Sequence, residues 1–280
     1  MARAWTTEEE HKYRQELSVL YERGNLSIGQ IARRLGIAQQ TVFKRIRRLG
    51  LVPHPERKSK YRNTRNDIRI PDEYSDDLAE FIGIMLGDGH LSHFQVVVTL
   101  GTKEIPYTRY VRRLITKIFK AKASISIRAD GYRDVYLGST VVTKWLRTHG
   151  LVSNKVLGQV APPEWIFTKP SFKAAFVRGM FDTDGSVYRL RFGAQVSFSN
   201  RSMPLLRSLQ LALRQLQYTP SEISGYQLYL TKNSDLRRFF TEIRPRNQKH
   251  VRRFKLFMKE LKVAKRTKRA GTQAVNEDRL

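Results

Sequence analysis

Residues 75–89 read SDDLAEFIGIMLGDG, and residues 171–185 read SFKAAFVRGMFDTDG. Both segments open with a serine suited to capping a helix, continue with mostly apolar residues and end in an Asp-Gly pair. In each, a glycine precedes the final aspartate by five residues, at Gly83 and Gly179. A carboxylate in the last turn of a helix faces the negative end of the helix dipole, which is unfavourable. Asp88 and Asp184 occupy the same position in the two segments. Two such carboxylates therefore indicate a bound cation.

The chain is strongly basic. Its 280 residues include 52 Lys+Arg and 25 Asp+Glu, for a formal net charge of +27. This charge predicts attraction to a polyanion, and its spread along the chain favours an extended partner such as duplex nucleic acid. The absence of cysteine excludes disulfides, a thiolate zinc site and a cysteine nucleophile. Because there is no membrane-spanning apolar run and no signal-peptide pattern, we expect no membrane partner and no secretion. The expected location is the cytoplasm or nucleoid, or an organelle in a eukaryote.

Residues 1–51 are predicted to form a small all-α domain of three helices. The second helix ends at Gly36, and the third spans roughly residues 38–49. The spacing of Ala32, Gly36 and Val42 resembles the helix-turn-helix DNA-binding family, in which a sharp turn holds two helices close together. The resemblance implies that the third helix enters the major groove. Its candidate DNA contacts are Gln39, Gln40, Thr41, Lys44 and Arg47.

Residues 52–72 are predicted to be a basic linker. Pro53 and Pro55 break the preceding helix, and almost nothing in this stretch could bury a core. The linker is either a solvated tether or a basic strap along the DNA backbone or minor groove. Its candidate DNA contacts are Arg57, Lys58, Lys60 and Arg62.

One order of predicted elements occurs twice between residues 73 and 263. The halves, residues 73–160 and 161–263, each read helix, two strands, helix, two strands, helix, which is an internal duplication. The predicted fold class is therefore α+β, a duplicated α-β-β-α-β-β-α arrangement with two four-stranded antiparallel sheets after the helical domain. A basic helix over residues 251–263 closes the second half, and residues 264–280 are predicted to be a disordered tail.

The segments FIGIMLGDG (residues 81–89) and VRGMFDTDG (residues 177–185) resemble the two signature motifs of the LAGLIDADG homing endonucleases. The resemblance covers roughly residues 75–245, although Leu86 stands where the family usually has an earlier acidic residue. It implies the LAGLIDADG fold, with the motif helices packed on a pseudo-twofold axis, and a monomeric DNA-cleaving enzyme. It further implies that Asp88 and Asp184 bind Mg²⁺ or Mn²⁺ between the scissile phosphates. The carbonyl groups of Gly87 and Thr183 are implied as further ligands.

Lys232 follows the last predicted strand of the second half, where the family often places a lysine that polarises the scissile phosphate or orients water. Aligning Tyr136-Leu137 with Tyr229-Leu230 puts Ser139 at the matching position of the first half. The two half-sites are then chemically unequal, and unequal rates of strand cleavage are expected. A solvent-exposed lysine without a catalytic role is the alternative for Lys232. Asn200 lies in the region where the family keeps a polar residue near the active-site water.

Polar residues on otherwise apolar strands are the candidate DNA contacts of the two sheets, which could form a saddle over the major groove. Alternation puts every second side chain of a strand on one face. Arginine and glutamine suit bidentate contacts to guanine and adenine, respectively. A one-residue error in strand phase would invert the selection. The candidates are Ser92, Gln95, Arg128, Arg133, Arg189, Arg191, Gln195, Asn200 and Gln227.

Three functions are compatible with the sequence. The first is a homing endonuclease that hydrolyses both strands of a long DNA site with divalent metal, the helix-turn-helix lengthening the recognised site. The second is a non-cleaving LAGLIDADG-type transcriptional regulator, for which Leu86 and the single candidate lysine leave room. The third is an RNA-binding intron maturase. The absence of a protein-splicing nucleophile favours a free-standing or intron-encoded gene over an intein.

Overall fold

The computed structural model describes residues 6–24, 26–51, 67–152, 159–190 and 193–260. The chain divides into two compact units, Met1–Arg62 and Asn63–Leu280. Within the described ranges, no helix has the length and apolar character needed to cross a membrane.

The described part of the first unit is helical. Helix α1 spans Thr7–Leu17 and continues as a π-helical turn, Ser18–Arg23; α2 spans Ile28–Leu35, and α3 spans Gln39–Arg48. Gly36 ends α2 with φ of 65°, a left-handed conformation that glycine adopts without strain, and this gives the sharp turn predicted between α2 and α3. The buried residues of this unit are Leu17, Leu20, Ile31, Ala32, Val42, Ile46 and Leu49.

The described residues of the first half of the second unit form seven elements in the predicted order. They are α4 (Asp76–Gly87), β1 (Gly89–Leu91), β2 (Gln95–Leu100), α5 (Ile105–Phe119), β3 (Ser124–Ile127), β4 (Arg133–Gly138) and α6 (Thr140–Thr148). The four strands form one antiparallel sheet in the order β1-β2-β4-β3.

In the residues that the structure describes, the second half repeats this order with one strand fewer. A short 3₁₀ helix (Glu164–Phe167) precedes α7 (Pro170–Asp184), β5 (Gly185–Leu190), β6 (Gly193–Ser199), α8 (Met203–Gln215), β7 (Gln227–Leu230) and α9 (Asn233–Glu242). A last helix, α10, covers residues 248–260. The strands form an antiparallel sheet in the order β5-β6-β7.

The strand predicted near Ile223 is reduced to a single bridge between Ser224 and Gln227, so the prediction of four strands here was wrong for the described residues. The backbone N–H of Ser221 donates to the carbonyl oxygen of Tyr229 at 2.9 Å, but the N–H of Tyr229 donates to the Ser221 hydroxyl at 3.0 Å. Because a side chain replaces the backbone acceptor, and Pro220 has no N–H, the ladder does not extend. The predicted α+β class, with antiparallel sheets after a helical unit, is confirmed.

Helices α4 and α7 form the most extensive helix–helix contact of the second unit. Their backbones meet at Gly83 and Gly179. A Cβ atom added to Gly83 would clash with the carbonyl oxygen of Phe176, and one added to Gly179 would clash with that of Glu80. The absence of a side chain at both positions therefore permits the pairing. The buried residues of both halves belong to one continuous core.

Candidate functional site

The two candidate metal-binding carboxylates end the paired helices. Asp88 is the exposed C-cap of α4, and Asp184 is the half-buried last residue of α7. A Cβ atom built on Gly87 would lie 3.4 Å from the carboxyl carbon of Asp184 and would clash with the Thr183 side chain. The helix pairing thus brings the ends of both motifs together, including the four residues for which metal binding is predicted.

Asn200 fixes the carboxylate of Asp184. Its Nδ2 donates to Oδ2 of Asp184 at 2.6 Å, while its Oδ1 accepts from the backbone N–H of Ser202 at 2.8 Å. Its own backbone N–H donates to the carbonyl oxygen of Tyr226 at 3.1 Å. The amide is held at both ends, so it presents a donor to Asp184 at little further entropic cost.

The earlier aspartate of the second motif, Asp182, is buried. Its carboxylate accepts from the backbone N–H groups of Arg246 at 2.8 Å and Asn247 at 3.0 Å. Burial raises the pKa of Asp182 to about 8, against the lowering effect of these hydrogen bonds. Leu86, two residues before Asp88 as Asp182 is before Asp184, is also buried. Leu86 and Asp182 therefore belong to the core, whereas the candidate metal-binding residues Asp88 and Asp184 are exposed and half-buried, respectively.

Asn247 connects the two halves behind the motif helices. Its Nδ2 donates to the carbonyl oxygen of Asp182 at 3.0 Å and to Oε1 of Glu104 at 2.8 Å. Lys249 forms an ion pair with the same Glu104 oxygen at 2.8 Å. The segment leading into α10 is thereby tied to α7 and to the start of α5.

A buried ion pair joins α4 to α7. Arg178 Nε donates to Glu80 Oε2 at 2.8 Å, and the hydroxyl of Tyr110 donates to Glu80 Oε1 at 2.6 Å. Arg178 also donates to the carbonyl oxygen of Ile243 at 3.0 Å. Glu80 is only 2% exposed, but both of its oxygens have donors, as a buried charge requires.

His250 lies in the core on α10, with its ring 4.8 Å from that of Phe181. Burial and, to a smaller extent, the positive charge of Lys249 lower its pKa to about 4. The negative charge of Glu104 acts in the opposite direction, and the charge of Arg253 adds to the lowering.

The neutral His250 is expected to make the protein acid-sensitive. Since its pKa is about 4 in the folded chain and about 6.5 when unfolded, the unfolded state binds the proton first as the pH falls. The contribution of neutral His250 to the free energy of unfolding is complete above pH 6.5 and is lost as the pH falls towards 4. We expect the difference in unfolding free energy between wild type and His250→Leu to fall by about 3 kcal/mol from pH 7 to pH 4. Urea unfolding of both proteins across this range measures the difference.

Three predicted DNA contacts, Gln95, Gln195 and Gln227, lie on the faces of the sheets away from the core. Each is half-buried and alternates with buried apolar neighbours on its strand. The ladder puts Tyr188 opposite Gln195, on the same face. The tyrosines of these faces were not among the predicted contacts, although they alternate with buried residues along their strands in the same way. They are Tyr136, Tyr188 and Tyr229.

Two predicted contacts, Arg133 and Arg189, lie at strand positions that belong to the other face of their sheets, not to the face of the glutamines. Arg133 lies opposite buried Leu100 and donates to the carbonyl oxygen of Thr102. Arg189 lies opposite buried Ala194 and forms an ion pair with Glu260 of α10 at 2.9 Å. They therefore do not share the outer faces with the glutamines.

The remaining sheet candidates lie beside strands. Ser92 precedes β2, and its hydroxyl donates to the carbonyl oxygen of Gln95 at 3.2 Å. Arg128 follows β3, is exposed and lies 3.9 Å from a carboxylate oxygen of Asp134. Five candidates fall outside the described residues: Arg57, Lys58, Lys60, Arg62 and Arg191.

Helix α3 presents its predicted contacts away from the core of the first unit. Val42 and Ile46 are buried, whereas the predicted contacts are exposed, apart from the half-buried Thr41. The exposed ones are Gln39, Gln40, Lys44 and Arg47.

Lys232 and Ser139 occupy equivalent places. Each is the N-cap of the helix that follows the last strand of its half, Lys232 for α9 and Ser139 for α6. Lys232 is exposed and makes no capping bond with its side chain. Ser139 is buried, and its hydroxyl accepts from the N–H of Val142 at 3.2 Å.

The donor set of the site suits a hard cation. Among the described residues, no three or more His, Asp or Glu side chains cluster in a way that could hold a metal ion. The site offers two carboxylates and neighbouring backbone carbonyls. Mg²⁺ often takes one or two carboxylates and completes its coordination with water and phosphate oxygens. The residues present therefore fit Mg²⁺ or Mn²⁺ shared with a phosphate-containing substrate.

Two family models match parts of the chain. A LAGLIDADG-like domain matches residues 171–244, and a winged helix-turn-helix DNA-binding domain matches residues 17–50. The Replication factor C small subunit of Methanocaldococcus jannaschii is 27% identical over 177 residues, which are 61% of this chain and 10% of that protein. The chain thus spans about a tenth of the length of this curated relative.

Similar solved structures have low sequence identity. The N-terminal LAGLIDADG domain of DUF199/WhiA is 15% identical with a TM-score of 0.45, covering 62% of this chain and 86% of that domain. I-DmoI in complex with DNA and Mn is 15% identical with a TM-score of 0.42, covering 60% of this chain and 94% of that one. At these TM-scores, nothing about the activity of this chain follows from them.

Proposed function

We propose that this protein is a site-specific endonuclease that hydrolyses both strands of double-stranded DNA with Mg²⁺ or Mn²⁺. One observation carries the proposal: the paired helices α4 and α7 each end in an aspartate, and a Cβ atom on Gly87 would lie 3.4 Å from the Asp184 carboxyl carbon. Two carboxylates at the negative ends of two helices repel one another unless a cation lies between them.

The proposed hydrolysis replaces one ester bond at phosphorus. A water oxygen bonds to phosphorus, the bond to the leaving sugar oxygen breaks, water loses a proton to solvent, and the leaving oxygen gains one. Asp88 and Asp184 would hold the divalent ions, which activate the water and neutralise the charge on phosphate. Asn200 orients Asp184 through its 2.6 Å hydrogen bond. Exposed Lys232 would place an ammonium group beside the phosphate.

DNA recognition is assigned to two surfaces. The outer sheet faces carry glutamines, which suit adenine, and tyrosines, which can pack against the DNA backbone. Helix α3 carries exposed amides and cations on the face opposite its buried residues. The net charge of +27 supplies attraction to the duplex irrespective of its sequence.

A non-cleaving DNA-binding regulator is the second candidate. Buried Ser139, which occupies the place of Lys232, favours it, because one half then offers no cation beside the phosphate. Both candidates require duplex binding, and they differ only in hydrolysis.

Cleavage of a randomised duplex library in the presence of Mg²⁺ tests the proposal. We expect double-strand cuts at one enriched sequence, and no cuts when the metal is chelated. Selective retention of library members without any cutting would favour the regulator. Tighter binding to structured RNA than to any duplex in a competition assay would contradict both.

A further inference from the structure

We propose that Asn247 positions the aspartate-bearing end of α7 against the first half of the protein. Asn247 lies just before α10, after the last helix of the repeated order of elements. The inference rests on the proposed nuclease function, and it assigns to this residue an effect on the rate of cleavage rather than on DNA binding. Its basis is a set of hydrogen bonds that one buried amide makes to both halves.

The amide group of Asn247 is buried and fully occupied. The residue is 1% exposed. Its Nδ2 donates to the carbonyl oxygen of Asp182 at 3.0 Å and to Oε1 of Glu104 at 2.8 Å. Its Oδ1 accepts from the backbone N–H of Lys249 at 3.2 Å. An asparagine amide has two N–H groups and one acceptor oxygen, so each is used here and the orientation of the side chain is fixed.

On one side, the amide holds the last turn of α7. Carbonyl groups in the last turn of a helix have no N–H partner within that helix. Asn247 supplies a donor to the carbonyl group of Asp182. The Asp182 carboxylate also accepts from the backbone N–H groups of Arg246 at 2.8 Å and Asn247 at 3.0 Å. These bonds fix the residue two positions before Asp184.

On the other side, the amide holds the start of α5 in the first half. Oε1 of Glu104 accepts from Asn247 and from Lys249, both at 2.8 Å. Oε2 of Glu104 accepts from the backbone N–H of Gly101 at 2.7 Å. Burial acts to raise the pKa of Glu104, but these hydrogen bonds keep it below its usual value. Asn247 therefore donates to a charged carboxylate, and such bonds are stronger than those between neutral groups.

These bonds lie at the end of α7 that carries Asp184. The close contact at Gly179 sets the spacing of α4 and α7 near their middles, and Asp184 lies about 7.5 Å beyond it along the helix. A rotation of about 10° at the glycine contact would displace this end by about 1 Å. A displacement of about 1 Å can lower a catalysed rate about 100-fold. Because Asn247 joins this end of α7 to the first half, it resists such a rotation.

Asn247 also begins α10, which is the alternative explanation for an asparagine at this position. Its Oδ1 caps the helix, and asparagine is a preferred N-cap residue. Serine caps a helix about as well, but its single O–H cannot donate to both Asp182 and Glu104. Asn247→Ser therefore removes the connection between the halves while it keeps the cap of α10.

Single-turnover cleavage of the selected duplex by full-length Asn247→Ser tests the role. We expect the rate in Mg²⁺ to fall about 100-fold, with a dissociation constant for the duplex close to that of wild type. Glu104→Ala removes the other partner of the same bond and should have the same kind of effect. Because the two changes act through one bond, the double variant should be no slower than the slower single variant.

Gln210→Ala is the matched control. Gln210 is also buried, and its Nε2 donates to the carbonyl oxygen of Ser221 at 2.7 Å and to a carboxylate oxygen of Glu222 at 3.4 Å. It thus loses bonds to a carbonyl group and a carboxylate, as Asn247→Ser does, but both of its partners lie in the second half. Its stability in urea should fall, whereas its cleavage rate should not change.

A distance measurement gives a readout that is independent of cleavage. Because the chain contains no cysteine, His90→Cys and Tyr188→Cys introduce two sites for spin labels. Both residues are exposed, and they lie on β1 and β5, the strands that follow the two motif helices. Double electron–electron resonance on the DNA-free protein should show a wider distribution of distances for Asn247→Ser than for the labelled parent or for Gln210→Ala.

The outcomes separate the inference from the proposed function. An unchanged distance distribution, or a cleavage rate equal to that of Gln210→Ala, would overturn the role of Asn247 and leave the nuclease intact. A loss of duplex affinity as large as the loss of rate would do the same. If Asn247→Ser does not fold, Glu104→Ala decides the question from the partly exposed end of the bond. A wild-type protein that cuts no duplex would remove the nuclease and the inference together.

Discussion

Asp184→Asn is expected to lower metal-dependent cleavage at least about 100-fold while leaving duplex binding close to that of wild type. Asparagine keeps the size of the side chain but removes the charge that a divalent ion requires. Asp88→Asn should have an effect of the same order, because Asp88 ends the facing helix α4. Single-turnover cleavage of the selected site, with affinity measured separately, gives both quantities.

The control is Asp130→Asn. Asp130 is the exposed aspartate of another Asp-Gly pair, in the turn before β4, where its carboxylate accepts from the N–H of Tyr132 at 3.2 Å. An asparagine oxygen can accept the same bond, so we expect unchanged cleavage. If Asp184→Asn cuts as fast as this control, the carboxylates are helix ends and nothing more, and the regulator is the better assignment.

Gly179→Ala should destabilise the second unit by at least about 3 kcal/mol and also abolish cleavage. The added methyl group would meet the carbonyl oxygen of Glu80, which belongs to a helix backbone and cannot rotate away. The helices must then separate, and the motif ends separate with them. Denaturant unfolding monitored by far-UV circular dichroism measures the loss of stability.

Gly193→Ala is the comparison for this change. A Cβ atom at Gly193 would have Asn233 Oδ1 as its nearest neighbour at 3.6 Å, an ordinary contact. We expect a change within about 1 kcal/mol. A Gly179→Ala protein that unfolds at the denaturant concentration of wild type would contradict close backbone contact as the basis of the helix pairing.

Local signals in the sequence were sufficient for much of the fold. Gly36 gave the turn between α2 and α3, and the matching glycines of the two motifs gave the close helix contact, because each constraint acts within a few residues or at a backbone approach that only glycine permits. The internal repeat then identified the order of elements. The family models that match residues 17–50 and 171–244 agree with the helix-turn-helix assignment and with that of the second motif.

Features that depend on long-range pairing could not be predicted from the sequence. The strand phase of Arg133 and Arg189 depends on the register with neighbouring strands, and a one-residue shift moves a side chain to the other face. The bond from Asn200 to Asp184 joins a strand end to a helix end, which no local pattern encodes. The hydrogen bond from the backbone N–H of Asn247 to the buried Asp182 likewise joins residues 65 positions apart.

The roles of the site residues remain predictions. The structure shows which of the candidate residues lie close together and which do not. It brings the four candidate metal-binding residues to one end of the helix pair and places Lys232 at a helix N-terminus. It also separates the outer-face glutamines from the arginines of opposite phase. Mutagenesis of Gln95, Gln195 and Gln227 is therefore the more direct test of sequence readout than mutagenesis of Arg133 and Arg189.

The ion pair between Glu80 and Arg178 restricts which halves can combine. Glu80 lies on α4, and the equivalent position of α7 is Phe176; Arg178 lies on α7, and the equivalent position of α4 is Ile82. Two copies of the first half would bury two glutamates against isoleucines, and two copies of the second would place two half-buried arginines against phenylalanines. A buried charge without its partner costs about 3 to 5 kcal/mol. Each half is thus expected to pair stably only with the other half. An engineered symmetric dimer of either one would first need this ion pair replaced by apolar residues.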